Sequence, residues 1–339
     1  MDDLYYDEMF SSKNSGLGKP MILATQRFHD NVNKKLESRF EVLWQCDDRK
    51  SVKDIDSKLL QKVKGIATGG IRGASREIMK LLPNLEIVAV GGVGTDAIDI
   101  DYALKRDICV STTEDVLTDD VADLAIGLLI TVVRKICICD RIIREGGWGD
   151  GGVGLTGKVS GKRLGIVGLG KIGTAIAKRA QGFNMQIAYH SRNIVPNLSF
   201  RYEMNLPQLA KWCDFLMVTA SGGETTKGLI DSTILESLGP NGVIINVARG
   251  SLVNEKALIV AITEGRIGGA GLDVFEKEPF VPKQLLHAEN VVLSPHQGSA
   301  TLETRLAMGN MMIKSLVSCL YKSSEISDQI SNNKWNTKK

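Results

Sequence analysis

The chain has 339 residues, 43% of them hydrophobic, and a formal net charge of +3. That length fits two domains with packed cores, and so small and evenly spread a charge argues against a nucleic-acid partner. No run of roughly 18 uncharged apolar residues occurs, so no membrane span is expected, and the acidic start Met1-Asp-Asp-Leu-Tyr-Tyr-Asp-Glu lacks a signal peptide's basic and apolar regions.

Residues 1–19 are polar and read as a frayed tail. Residues 21–25 begin a strand. Short apolar strands follow at 40–44, 65–68, 87–90 and 108–110, alternating with helix-like stretches. This βα alternation implies a parallel sheet covered by helices. After the strand at 87–90 comes a glycine-rich turn that contains Val93 and Gly94. Its N–H groups form a small anion nest suited to a carboxylate. Gly70, in Thr68-Gly-Gly-Ile-Arg-Gly73, lines the other wall. One helical run is expected from 119 to 144, and Asp119 and Asp120 suit its N-terminus.

The six cysteines, Cys46, Cys109, Cys137, Cys139, Cys213 and Cys319, show no C-x-x-C pairing. Most lie in apolar runs, as buried thiols do. The expectation is a reduced, cytoplasmic chain without a metal site.

A second βα series starts at residue 162, with strands at 164–167, 186–189, 215–218, 243–247, 269–272 and 291–293. The first strand runs into Gly168-Leu169-Gly170-Lys171-Ile172-Gly173, and helical apolar spacing follows. This is G-x-G-x-x-G in the setting that gives it meaning, strand before and helix after. Gly168 permits the tight turn, Gly170 lets a pyrophosphate approach, and Gly173 lets helix and strand pack closely. Two other matches, beginning at Gly147 and Gly152, follow no strand and open no helix. They read as a flexible connection.

In such units an Asp or Glu about 20 residues on usually binds the ribose 2′-OH of NAD. Here the second strand ends in His190-Ser191-Arg192, with no carboxylate nearby. Arg192 suits a 2′-phosphate, with Ser191 as a neutral hydrogen-bond partner. The expected cofactor is NADPH, and NAD is disfavoured.

Three polar residues complete the chemistry: Arg249 in Asn246-Val-Ala-Arg-Gly250, Glu278 before Pro279, and His296 in Ser294-Pro-His296. A guanidinium grips an α-keto carboxylate in bidentate fashion. An imidazole exchanges a proton with the adjacent carbonyl oxygen. A carboxylate behind the imidazole supports its charge and orientation. Glu276 competes with Glu278 for that place. Asp273 is expected to accept a hydrogen bond from the nicotinamide carboxamide. Residues 301–320 read as a final helix, and 323–339 as a mobile tail.

Taken in order, these motifs resemble those of the D-isomer-specific 2-hydroxyacid dehydrogenases, from about residue 21 to 320. The carriers are Val90-Gly-Gly-Val-Gly-Thr-Asp96, Val116-Leu-Thr-Asp-Asp-Val-Ala-Asp123, the glycine motif, Ile245-Asn-Val-Ala-Arg-Gly250, Gly269-Ala-Gly-Leu-Asp-Val-Phe-Glu-Lys-Glu-Pro279 and Ser294-Pro-His296. The similarity is greatest to the NADPH-dependent glyoxylate/hydroxypyruvate reductase branch, which includes hydroxyphenylpyruvate and 2-ketogluconate reductases. The resemblance implies an α/β chain of two Rossmann-like domains, with the cofactor domain inserted into the substrate domain. The expected limits are 20–118 with 300–322 for the flavodoxin-like substrate domain, and 119–299 for the NAD(P)-binding domain. It assigns Glu278 rather than Glu276 to His296, and Thr225, Val247 and Ala248 join the expected cofactor contacts.

The resemblance also implies a homodimer formed largely through 119–145, with Trp148 reaching into the neighbouring subunit's substrate site. Gln297 departs from the small apolar residue or Thr that relatives often carry after the histidine. The implied reaction is reduction of a small 2-oxo acid to the D-2-hydroxy acid. Two alternatives stay open: an NAD-linked D-lactate or phosphoglycerate dehydrogenase, and a dinucleotide-sensing corepressor-like binding protein.

Overall fold

Four-residue apolar strands with every side chain buried are the signature of parallel sheets covered on both faces, and β1 (Met21–Ala24) is one. The computed structural model describes residues 18–45, 52–150 and 153–321. The expected tails, apart from residues 18 and 19, and Cys46 lie outside the described residues. The chain divides into two compact units. One holds the chain up to Thr113 and again from Arg305; the other is Glu114–Thr304.

The first unit carries β1, β2 (Glu41–Trp44), β3 (Val63–Gly69), β4 (Ile87–Gly91) and β5 (Cys109–Ser111). They form a parallel sheet in the order β2-β1-β3-β4-β5. One face packs Leu23, Ile66, Val88, Met79 and Leu82. The other packs Ile22, Leu36 and Phe40 with Met312, Ile313, Leu316 and Val317 of the last helix, Leu302–Leu320. The chain therefore returns to this unit to complete its core.

The second unit carries β6 (Arg163–Val167), β7 (Gln186–His190), β8 (Arg201–Tyr202), β9 (Phe215–Val218), β10 (Val243–Asn246), β11 (Gly269–Leu272) and β12 (Val291–Leu293). The order is β12-β11-β10-β9-β6-β7-β8, parallel throughout. Strand order reverses between β6 and β9. That switch point is where doubly wound sheets bind ligands, outside the carboxyl ends of the strands. Six strands match the sequence expectation closely. The seventh, β8, is a two-residue edge strand too short to carry an alternating pattern.

The expected single helix over 119–144 is a correction. It forms as Thr118–Arg134 and Ile136–Arg144, separated by Lys135 in the left-handed conformation at φ 51°. The first piece buries Val121, Ala125, Leu128, Leu129 and Val132. The second buries none of its residues. The turn at Lys135 takes the chain off the core, and neither Gly nor Pro marks it.

A second correction concerns the thiols. Among the described cysteines only Cys213 is buried, and Cys137 is exposed. Burial pushes the Cys213 thiol up to about 12. No helix among the described residues is long and apolar enough to cross a membrane. No group of acidic, His and Cys side chains able to hold a metal occurs among them either.

Candidate active site

The phosphate turn follows β6 directly. Gly168 has φ 94°, and a Cβ there would meet the backbone of Ala220. An L side chain is excluded on both counts. A Cβ at Gly173 would collide with the Gly168 carbonyl. Gly170 caps the helix Lys171–Gly182 and makes no side-chain cap bond. The first N–H groups of a helix have no partner within it. A Cβ on Gly170 would find nothing within 4 Å. Open space in front of unpartnered N–H groups fits a pyrophosphate, so the turn suits a dinucleotide. Gly147–Asp150, where the first of the two other matches begins, is a short 3-10 turn; Gly152, where the second begins, lies outside the described residues.

Lys171 is held by acids. Its Nζ lies 2.6 Å from Asp115 Oδ1 and 3.1 Å from Glu114 Oε2. The bonds to Asp115 and then Glu114 hold its ammonium above the usual lysine range. These partners, 57 residues away in the case of Glu114, were not foreseen from sequence.

At the far end of β7, Arg192 is exposed and Ser191 partly so. The Ser191 hydroxyl donates to the Asn193 carbonyl at 2.5 Å. His190 is drawn away from this loop, with Nδ1 3.1 Å from the Glu203 carbonyl. Thr225 sits exposed on the 3-10 turn Glu224–Thr226. Val247 is buried after β10, and the Ala248 N–H donates to Asn246 Oδ1 at 3.1 Å.

Arg249 follows in extended backbone. Asn246 Nδ2 donates to the Arg249 carbonyl at 2.9 Å, and Arg249 Nη1 donates to the Ala248 carbonyl at 2.6 Å. Gly250 abuts the next loop so closely that a Cβ would fall on the Phe275–Glu276 peptide. This contact presses the Arg249 loop onto the loop that carries Glu278.

Glu278 and His296 meet. His296 Nδ1 lies 2.7 Å from Glu278 Oε2. Glu278 Oε1 accepts the Phe275 N–H at 3.1 Å. Burial pushes the Glu278 carboxyl up. The hydrogen bond and charge of His296, the Phe275 N–H and the Arg249 guanidinium outweigh burial and hold it below the usual range. Glu276 is exposed, and its backbone N–H donates to Glu255 Oε1 at 3.1 Å.

Asp273 organises the histidine loop, a role sequence reasoning did not find. It is 1% exposed. Oδ1 accepts from the Ser294 hydroxyl at 2.6 Å and the Gln297 N–H at 2.7 Å; Oδ2 accepts from the Gly298 N–H at 2.8 Å. The Asp273 carbonyl accepts the His296 N–H at 2.9 Å. His296 itself has φ 56°, a conformation uncommon outside glycine. Four hydrogen bonds to Asp273 hold the loop there. The Gln297 carboxamide folds back, with Nε2 donating to the Pro295 carbonyl at 3.1 Å.

In the first unit, Gly70 and Gly94 lie on facing turns after β3 and β4. A Cβ on Gly70 would lie 3.3 Å from the Gly94 carbonyl. Val93 is 38% exposed. Trp148 is 77% exposed on its 3-10 turn.

The profile of the NAD-binding domain of D-isomer-specific 2-hydroxyacid dehydrogenases matches residues 126–298. Glyoxylate/hydroxypyruvate reductase A of Arabidopsis thaliana is 45% identical over 84% of this chain and 91% of that protein. The 2-ketogluconate reductase of Gluconobacter oxydans is 42% identical over 88% of this chain and 95% of that protein. A crystal structure of an NADPH-dependent glyoxylate/hydroxypyruvate reductase from Sinorhizobium meliloti, complexed with NADP and malonate, superposes with a TM-score of 0.84. It is 39% identical and covers 89% of this chain and 93% of that one. The chain belongs to the D-isomer-specific 2-hydroxyacid dehydrogenase family and is an oxidoreductase with a nicotinamide-dinucleotide-binding domain.

Proposed function

We propose that the protein reduces a small 2-oxo acid, of the glyoxylate or hydroxypyruvate type, to the D-2-hydroxy acid with NADPH. The observation that carries the reading is the His296–Glu278 pair at 2.7 Å, on loops packed beside Arg249. Bound nicotinamide supplies the hydride. Arg249 binds the substrate carboxylate and carbonyl and fixes which face is presented. His296 donates the proton from Nε2, because Nδ1 is engaged by Glu278. Glu278, held ionised, orients the ring and supports its charge. Asp273 has accepting capacity left on Oδ2 for a carboxamide.

Gly70, Val93 and Gly94 are likewise proposed as substrate contacts. Gly168, Leu169, Gly170, Lys171, Ile172 and Gly173 form the pyrophosphate turn. Thr225, Val247 and Ala248 are proposed to flank the cofactor.

The NADPH preference is supported by the ending of β7. No carboxylate stands where a ribose 2′-OH would need one, and exposed Arg192 follows Ser191. The Sinorhizobium meliloti relative is described as NADPH-dependent. A homodimer is proposed through the helix Ile136–Arg144. Ile136 is 47% and Ile143 51% exposed on it, with Trp148 close behind in sequence. Among the described residues, the free thiols of Cys109, Cys137, Cys139 and Cys213 support a reducing, cytoplasmic setting.

Initial rates over glyoxylate, hydroxypyruvate, an aromatic pyruvate and a sugar-derived keto acid, with NADPH and NADH in parallel, test this reading. At least one acid turns over, with kcat/KM at least roughly tenfold higher for NADPH, about 1.4 kcal/mol of discrimination. Turnover of none overturns the function; equal use of both cofactors overturns the NADPH assignment.

A further inference from the structure

The loop that leaves β7 is on the surface, and its residues Arg192, Asn193 and Ile194 are exposed. Ordering such a segment costs conformational entropy at every residue. Two tyrosines hold it at both ends. Tyr189, within β7, is 1% exposed, and its hydroxyl accepts the Val195 N–H at 3.0 Å. Tyr202, on β8, donates its hydroxyl to the Ser191 carbonyl at 3.2 Å. The two residues are register partners across the β7–β8 pairing. Their rings lie 5.4 Å apart and tilted by 54°. That is a favourable aromatic geometry. The edge strand is itself tied down, since the Glu203 N–H donates to the Tyr189 carbonyl at 2.8 Å.

We propose that Tyr189 and Tyr202 form a brace that presents Ser191 and Arg192 to the 2′-phosphate of NADPH, which makes them positioning residues for cofactor discrimination. The inference rests on the NADPH reading above. The reason is geometric. A 2′-phosphate is contacted by this loop, whereas NADH carries only a hydroxyl there. Loss of a loop anchor therefore weakens one cofactor and spares the other. Ser191 also gains from the brace. Its hydroxyl must leave the Asn193 carbonyl to donate to a phosphate, and a fixed backbone lets it rotate without moving the chain. The short edge strand β8 thus has a use beyond extending the sheet: it delivers the second hydroxyl.

Phenylalanine keeps each ring and removes only the hydroxyl. Tyr189→Phe, Tyr202→Phe and the double variant are compared with Arg192→Ala in the full-length protein. KM and kcat are measured for NADPH and NADH, and Tm is recorded. A net hydrogen bond converts to roughly a fivefold change in affinity. The expected result is an NADPH KM raised roughly fivefold in each single variant and more in the double. The NADH KM and kcat stay within about twofold. A purely structural role would shift both cofactors together, and that result overturns the brace. So does an unchanged NADPH KM in the tyrosine variants while Arg192→Ala loses NADPH preference; the NADPH reading then survives. If Arg192→Ala also leaves the NADPH KM unchanged, both the brace and the Arg192 assignment fall; equal wild-type use of NADPH and NADH overturns the NADPH reading itself.

Discussion

Glu278 Oε2 takes up Nδ1 of His296 at 2.7 Å, and this contact decides which imidazole nitrogen is available for chemistry. Nε2 is the nitrogen assigned to the proposed proton transfer. The side chain of His296 is 33% exposed and that of Glu278 20%, so the carboxylate is shielded behind the ring. A carboxylate that orients an imidazole and supports its charge is the arrangement a proton donor requires.

Replacing Glu278 has a signature on the acid side. Its carboxyl is held below the usual range, with burial outweighed by His296, Phe275 and Arg249. A carboxyl lowered on folding adds stability above its unfolded value, and that stability is lost as pH falls through the folded value. Thermal unfolding followed downward from neutral pH should show a smaller loss of Tm in Glu278→Gln than in wild type. Parallel curves for the two proteins would contradict the assignment.

Asp273 should be costly to truncate. Asp273→Ala leaves the Ser294 hydroxyl and the Gln297 and Gly298 N–H groups without their acceptor, at about 1–3 kcal/mol for each one left buried. We expect a clear drop in Tm and a loss of kcat as the His296 loop relaxes. A variant with wild-type Tm and kcat would show that the loop holds its shape without the carboxylate.

Two glycines separate packing from binding. Gly250→Ala places a methyl on the Phe275–Glu276 peptide, so it should lower stability and turnover together. Gly170→Ala meets nothing within 4 Å. It should fold normally but raise KM for the dinucleotide, because the methyl occupies the space a pyrophosphate needs. Calorimetry and cofactor titration distinguish the two. An unaltered cofactor KM in Gly170→Ala would remove the pyrophosphate from this turn.

Arg192→Ala should raise KM for NADPH and leave NADH nearly unchanged, because a guanidinium pairs with phosphate far more strongly than with a hydroxyl. Equal losses with both cofactors would show that Arg192 does not read the 2′-phosphate.

Most of the architecture is legible in the sequence because buried parallel strands are unbroken apolar runs. Runs such as 215–218, 269–272 and 291–293 coincide with strands β9, β11 and β12. The glycine turn and the Arg249, Glu278 and His296 segments stand out because their residue types are constrained by chemistry. What sequence does not carry is tertiary. The break at Lys135 has no Gly or Pro to announce it. Strand β8 exists only because β7 offers it an edge. The bonds from Asp273 to Ser294, Gln297 and Gly298 join residues more than a strand apart. Lys171 finds Glu114 and Asp115 through the fold alone.

His296 is proposed to deliver the proton in reduction of a 2-oxo acid. The most direct measurement is the steady-state rate of NADPH oxidation with glyoxylate or hydroxypyruvate across pH, wild type against His296→Ala. Proton transfer from a placed side chain is typically worth about 10²–10⁴-fold. A loss of that order is expected in His296→Ala. The wild-type kcat/KM is expected to fall as pH rises, with no such fall in the variant. Near-normal turnover in His296→Ala with an unshifted pH profile would contradict the proton-donor assignment and the mechanism built on it.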